Sequence, residues 1–149
     1  MSKRTFNLIF TIIGLIGVAN GIYLSVLKLT NNSSMCIKGL GDCWTVNTSK
    51  YSEIFGVPIA ILGTLAYLAL LALVILENKG NEFWKTNAIY FFFGFTLIGA
   101  GYSAYLTYLE ADVIRAWCPF CVVSAIGMWI LFITTIVRLV NITQAEPIA

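Results

Sequence analysis

Cys118-Pro119-Phe120-Cys121 is a Cys-X-X-Cys motif. On a helix this spacing puts two thiols about one turn apart, near enough to close a disulfide and to open it again. Pro119 suits the first helical position, where its missing N–H costs nothing. A thiol at a helix N-terminus faces the positive end of the macrodipole, which favours thiolate, the form that attacks disulfides and could donate to a quinone. The other two of the four cysteines, Cys36 and Cys43, lie far upstream in a polar stretch. The chain has no histidine. It therefore lacks the commonest general base and metal ligand, and His-paired nucleophiles and His-ligated haem are excluded.

Two other uses of four cysteines compete with redox chemistry. Zinc needs closely spaced pairs, usually two to four residues apart; Cys36 and Cys43 are spaced more widely, and no other ligand type supplements them. No metal site is expected. Structural disulfides are the second alternative. A closed loop of about eight residues, such as Cys36–Cys43, would stabilise by only roughly 2–3 kcal/mol in the chain-entropy model. A Cys-X-X-Cys ring is smaller and easier to reduce. Neither is an effective staple for a bundle held in lipid, so redox activity is the preferred reading.

The elements that position these thiols follow from composition. Of 149 residues, 59% are hydrophobic and only 11% are charged, against roughly 25% in soluble domains. Four apolar stretches are long enough to cross a bilayer, which takes about 20 residues. They run from about Phe6 to Val26, Val57 to Leu76, Thr86 to Tyr108 and Cys118 to Val140. The first follows Lys3 and Arg4 like a signal peptide, but its core is too long and Asn20-Gly21-Ile22-Tyr23 is no cleavage site, so it is expected to be retained. The connections are residues 27–56, which are polar and turn-rich, and two short links, 77–85 and 109–117, the latter carrying Glu110, Asp112 and Arg115. This predicts an all-α integral membrane four-helix bundle, residues 1–149 forming one domain. Gly17 and Gly21 form a small-residue step, and Gly99, Gly101 and Ala104 offer a second surface for close helix approach.

Alternating helices put the first and third connections, and hence all four sulfurs, on one side of the membrane. Lys3, Arg4, Lys79, Lys85 and Arg138 fall on one side, and Lys28, Lys38, Lys50 and Arg115 on the other. The first group crowds helix ends in short segments, which places both termini in the cytoplasm by the positive-inside rule. The cysteines then face the periplasm or its equivalent, where disulfides persist. The expected location is the inner (plasma) membrane. Net charge is only +2, with no basic patch, so nucleic-acid binding has no support.

The ordered set of Cys36 and Cys43, Ser49 six residues on, Phe55-Gly56-Val57-Pro58 leading to Gly63, and Cys118-Pro119-Phe120-Cys121 on a four-span frame resembles the vitamin K epoxide reductase family, in its bacterial form. The resemblance covers essentially the whole chain. It implies a bundle around a quinone, ubiquinone or menaquinone, capped by the loop between helices 1 and 2. It also implies an electron path from a thioredoxin-like (DsbA-like) partner to the Cys36/Cys43 pair, then to Cys118/Cys121, then to the quinone. By analogy Cys118 exchanges with the loop pair and Cys121 lies nearest the quinone. Ser49, Phe55 and Phe120 are the expected quinone-side residues beside Cys121. Vertebrate members place an asparagine and a tyrosine at the vitamin K headgroup where this chain has Ser52 and Ala125. That departure favours an ordinary respiratory quinone over epoxide reduction.

Many bacterial members carry a fused thioredoxin-like domain. This chain ends soon after span four, so its thiol partner is expected to be a separate protein. The DsbB type of quinone-linked oxidase, also four-spanning, has its Cys-X-X-Cys pair in the first outer loop, the reverse of the order here. The alternative outside the enzyme class is a non-catalytic membrane assembly protein with structural disulfides, for which oxidation would have no link to quinone. A transporter is disfavoured, because no span carries an acidic residue at mid-depth.

Overall fold

A computed structural model describes residues 2–30 and 42–145, with the side chain of residue 145 undescribed. Cys36 and Lys38 lie outside the described residues. Helix α1 is Lys3–Thr30, α2 Cys43–Thr48, α3 Ile59–Lys79, α4 Glu82–Tyr108 and α5 Pro119–Ala145. Strands β1 (Glu53–Ile54) and β2 (Val57–Pro58) form an antiparallel hairpin between α2 and α3, Glu53 opposite Pro58 and Ile54 opposite Val57. A π-helical turn, Leu109–Ile114, continues α4. Among the described residues, four helices are long and apolar enough to cross a membrane. The molecule is a helical membrane bundle.

The long helices form a ring in which α1 packs on α3 and α5, and α4 packs on the same two. Their outward faces keep large apolar side chains exposed, among them Leu15, Leu65, Ile98 and Ile133. That suits lipid, where a helix satisfies its own backbone groups. Glycine permits the closest approach, between α1 and α3. A Cβ on Gly17 would stand 2.5 Å from the Tyr67 ring, and one on Gly21 would run into Thr64. On the second expected surface only Gly99 meets a neighbour, Met128 of α5; Gly101 and Ala104 face outward, because two to five residues' advance along a helix turns them off that face.

Several of the expected boundaries shift; the outer spans run longer, and residues 109–114 of the third link are helical. The second span starts at Ile59, because Val57 and Pro58 belong to the hairpin. The link expected over 77–85 shrinks to Gly80 and Asn81, because both helices run on. Glu77 is therefore inside α3 and is 1% exposed. Arg138 of α5 clasps both its carboxylate oxygens, Lys3 approaches to 3.6 Å, and the Arg138 guanidinium lies 4.2 Å from the Phe6 ring centroid. Beside this ion cluster, Phe6, Phe10 and Phe92 stack at centroid distances of 4.3–5.2 Å to form the closed end of the core. Cys43, Cys118 and Cys121 occupy the other end.

Candidate functional site

The Cys-X-X-Cys motif opens α5 by capping it. Cys118 precedes the first helical residue, Pro119, and its carbonyl accepts the Val122 N–H at 3.0 Å. Its sulfur accepts the Cys121 N–H at 3.4 Å, filling the place a serine or aspartate oxygen takes in an ordinary N-cap. The sulfur thus faces the concentrated positive end of the helix. A hydrogen bond from the Cys121 thiol, aided by those backbone donors, holds the Cys118 thiol below the ordinary cysteine range; burial and the Glu110 charge oppose this. Cys118 is fully buried, and both motif cysteines are free thiols.

Cys43, by contrast, is disulfide-bonded. It begins α2, which Asp42 caps: one carboxylate oxygen accepts the Thr45 N–H at 3.0 Å and the other its hydroxyl at 2.6 Å. Those bonds hold the Asp42 carboxyl below its usual value. The Asp42 N–H donates to the Trp117 carbonyl at 2.9 Å, which ties the start of α2 to the residue before Cys118. In consequence Cys43 and Cys118, 75 positions apart in the sequence, share one buried apolar cluster with Leu24, Leu27 and Val46.

Lys28 anchors the cap from α1. Its ammonium donates to the Asn47 carbonyl at 2.9 Å and the Ser52 hydroxyl at 2.6 Å, and pairs with Glu53 at 3.0 Å. Asn47, itself buried, donates to the Leu24 carbonyl. A buried lysine stem with a satisfied head holds the segment 42–58 over the bundle.

Beneath this cap lies a cavity of about 480 Å³ with an almost wholly apolar wall, between α1, α3, α4 and α5. That size is usual for a small-molecule site. Its polar rim holds Cys121, Glu110, Ser49, Ser52 and Tyr51, and Ala125 lines it from α5. Ser52 and Ala125 are therefore both on the wall.

Of the residues expected beside a quinone, the structure brings Cys121 and Ser49 to the cavity and leaves Phe55 and Phe120 off its wall. Phe55 and Gly56 form the two-residue hairpin turn with φ of 50° and 80°, which points the phenyl ring fully outward. The Phe120 ring packs on Tyr23 of α1, at a centroid distance of 4.8 Å. Ser49 donates its hydroxyl to the Val46 carbonyl at 2.8 Å and so also serves as a helix cap. Among the described residues no group of histidine, cysteine and acidic side chains could hold a metal ion.

Two polar residues of the site escaped the sequence reading. Asn20, inside α1, donates to the Phe120 carbonyl at 2.6 Å and the Ser124 hydroxyl at 2.8 Å, fixing the first turns of α5. Glu110 falls in the stretch expected as a link. The π-helical turn swings it inward instead, to 4% exposure. Its carboxylate accepts the Cys118 N–H at 3.1 Å and stands against the Cys121 thiol. Its carbonyl takes the N–H groups of both Arg115 and Ala116, and Arg115, at φ 53°, ends the turn in the left-handed region. The available signal was an acidic residue at the edge of an apolar span.

Comparison with known proteins adds two findings. The model of the vitamin K epoxide reductase family matches residues 8–136. A thiol-disulfide oxidoreductase of Arabidopsis thaliana, LTO1, is 35% identical over 128 residues, covering 82% of this chain. The chain spans about a third (34%) of that relative's length.

Proposed function

The chain belongs to the vitamin K epoxide reductase family, and from that premise we propose that it is a membrane thiol:quinone oxidoreductase that supports disulfide bond formation. The observation that carries the reading is the placement of Cys43, Cys118 and Cys121 in sequence from the cap to the cavity wall. The thiol-disulfide oxidoreductase name of the relative supports the reaction class.

In this reading a thioredoxin-like protein reduces the Cys36–Cys43 disulfide. The Cys43 thiolate attacks Cys118 of the oxidised motif, forming a Cys43–Cys118 disulfide and releasing Cys121 as thiolate. Cys36 then attacks Cys43, the Cys36–Cys43 disulfide forms, the Cys43–Cys118 bond breaks, and Cys118 leaves. Cys118 is a good leaving group because its sulfur accepts the Cys121 N–H at the start of α5, and Cys121, once its thiolate has taken a proton from water, donates to it as well. A bonded Cys43 beside two free motif thiols is compatible with this order of steps.

The apolar cavity fits a quinone headgroup, with Cys121 on its wall and Ser52 and Ala125 beside it. A bound quinone supplies an acceptor for two electrons and two protons. Ubiquinone and menaquinone both suit the chemistry. Both termini belong in the cytoplasm and the cysteine end on the periplasmic side of the inner membrane, in keeping with the basic residues at the opposite helix ends.

The test is a trapping experiment. Cys121→Ala leaves Cys118 without its resolving partner, so it attacks the loop disulfide and stays there. Peptide mapping under non-reducing conditions is expected to find Cys118 joined to Cys43. A bond to Cys36, or no mixed disulfide in folded protein, would overturn the proposed path.

A further inference from the structure

Glu110 and Glu77 are both buried carboxylates, and they are solved differently. Glu77 has Arg138 as a bidentate counter-ion. Glu110 has no ion-pair partner among the described residues, and its carboxylate faces one backbone N–H and one thiol. A buried carboxylate without a counter-ion is expensive to keep for structure alone. This one also touches both members of the redox pair and lines the cavity into which Cys121 looks.

We infer that Glu110 is the proton acceptor for Cys121 and hands that proton on to the quinone oxygen during oxidation of the Cys118–Cys121 pair. The inference rests on the proposed quinone chemistry. Cys118 reacts as its thiolate, its proton passing to water in this step. Glu110 removes the Cys121 proton as the pair gives up two electrons and the Cys118–Cys121 S–S bond closes. The acceptor becomes quinol by taking those two electrons, the proton held on Glu110 and one from water, and Glu110 returns to carboxylate.

The geometry makes each part possible. The Cys118 N–H at 3.1 Å fixes one carboxylate oxygen, which leaves the other for proton exchange. The π-helical turn, a common irregularity at functional sites, provides the inward aim. The titratable groups facing Glu110 are Cys118 and Cys121 from α5 and, across the cavity, Tyr51, Tyr67 and Tyr102. On the α2 side Asp42 is exposed and Cys43 is oxidised; on its own segment stand Asp112 and Arg115. The chain has no histidine, so Glu110 is the carboxylate that the structure sets against the Cys121 thiol.

The experiment uses full-length protein in detergent. Infrared difference spectra between dithiol and disulfide states, produced by a chemical oxidant without quinone, should show a carboxyl protonation change that Glu110→Gln abolishes and Glu110→Asp shifts in frequency. Stopped-flow reduction of a soluble quinone analogue should slow by about 10²–10⁴-fold in Glu110→Gln, with partial recovery in Glu110→Asp. Gln keeps an acceptor for the Cys118 N–H, which preserves the start of α5. Wild-type quinone rates in Glu110→Gln, or no carboxyl change in wild type, would overturn the inference. If wild type itself fails to reduce quinone, the proposed function falls, and the quinone-free infrared result still decides whether Glu110 takes the thiol proton. If Glu110→Gln does not fold, the wild-type band and its shift in Glu110→Asp decide the matter.

Discussion

Arg138→Met isolates the energetic weight of the ion cluster at the closed end of the bundle. The two side chains that form the pair are 12% and 2% exposed, so both ions are largely desolvated. Arg138 donates to both Glu77 oxygens and stacks over Phe6. Removing it leaves a buried carboxylate with only Lys3, which is 48% exposed and 3.6 Å away. Breaking a buried pair from one side costs about 3–5 kcal/mol, whereas the half-exposed Lys3 contact contributes at most about 1 kcal/mol. The expected order is therefore Arg138→Met far below Lys3→Met, and Glu77→Leu/Arg138→Met well above Arg138→Met, because the pair rather than either ion offsets desolvation. Unfolding free energies from detergent-denaturant titration, read by helical circular dichroism, give the comparison. An Arg138→Met loss under about 1 kcal/mol, or a double variant as unstable as the single one, would refute the assignment of a desolvated, mutually dependent pair.

Three further outcomes are expected. Gly17→Ala should lower stability by about 1–3 kcal/mol, since the new methyl overlaps a Tyr67 ring whose hydroxyl is held by the Ser124 carbonyl; thermal unfolding of the two proteins checks it. Ser49→Ala should change the quinone KM little, because the hydroxyl proton is already given to Val46, and should cost about 0.5–1.5 kcal/mol of stability; steady-state kinetics and unfolding separate the two effects. In a Cys36→Ala/Cys43→Ala background, ultraviolet thiolate absorbance should place the Cys118 titration below the ordinary thiol value of roughly 8.5, and Cys121→Ala should move it up by removing the main hydrogen bond. Because the folded value is the lower one, this group's contribution to stability is complete above the unfolded value and is lost as pH falls through the folded value.

The legibility of this molecule in its sequence divides by physical range. Long apolar runs are local, so the four helices were readable with end errors of a few residues. The Cys118–Cys121 motif was readable because spacing and Pro119 fix its helical setting. Glu110 was not, because its inward aim depends on a π-helical turn, a local change of helical phase that residue periodicity does not announce. The partnership of Glu77 with Arg138, 61 positions apart, is set by packing alone. Phe55 was assigned to the site with its neighbours in the motif, and the two-residue turn turns its ring outward. Gly101 and Ala104 looked like Gly99 in composition, and only helical phase separates the packed residue from the exposed ones.

The central claim is that electrons entering at the loop pair leave through Cys121 to a quinone. The direct measurement is quinone absorbance over time, with purified protein, a reduced thioredoxin-like donor and a ubiquinone or menaquinone analogue, run beside Cys121→Ala. The account predicts loss of the quinone band with wild type and none with the variant. Folded wild-type protein that cycles its disulfides with the donor yet reduces neither quinone would contradict it.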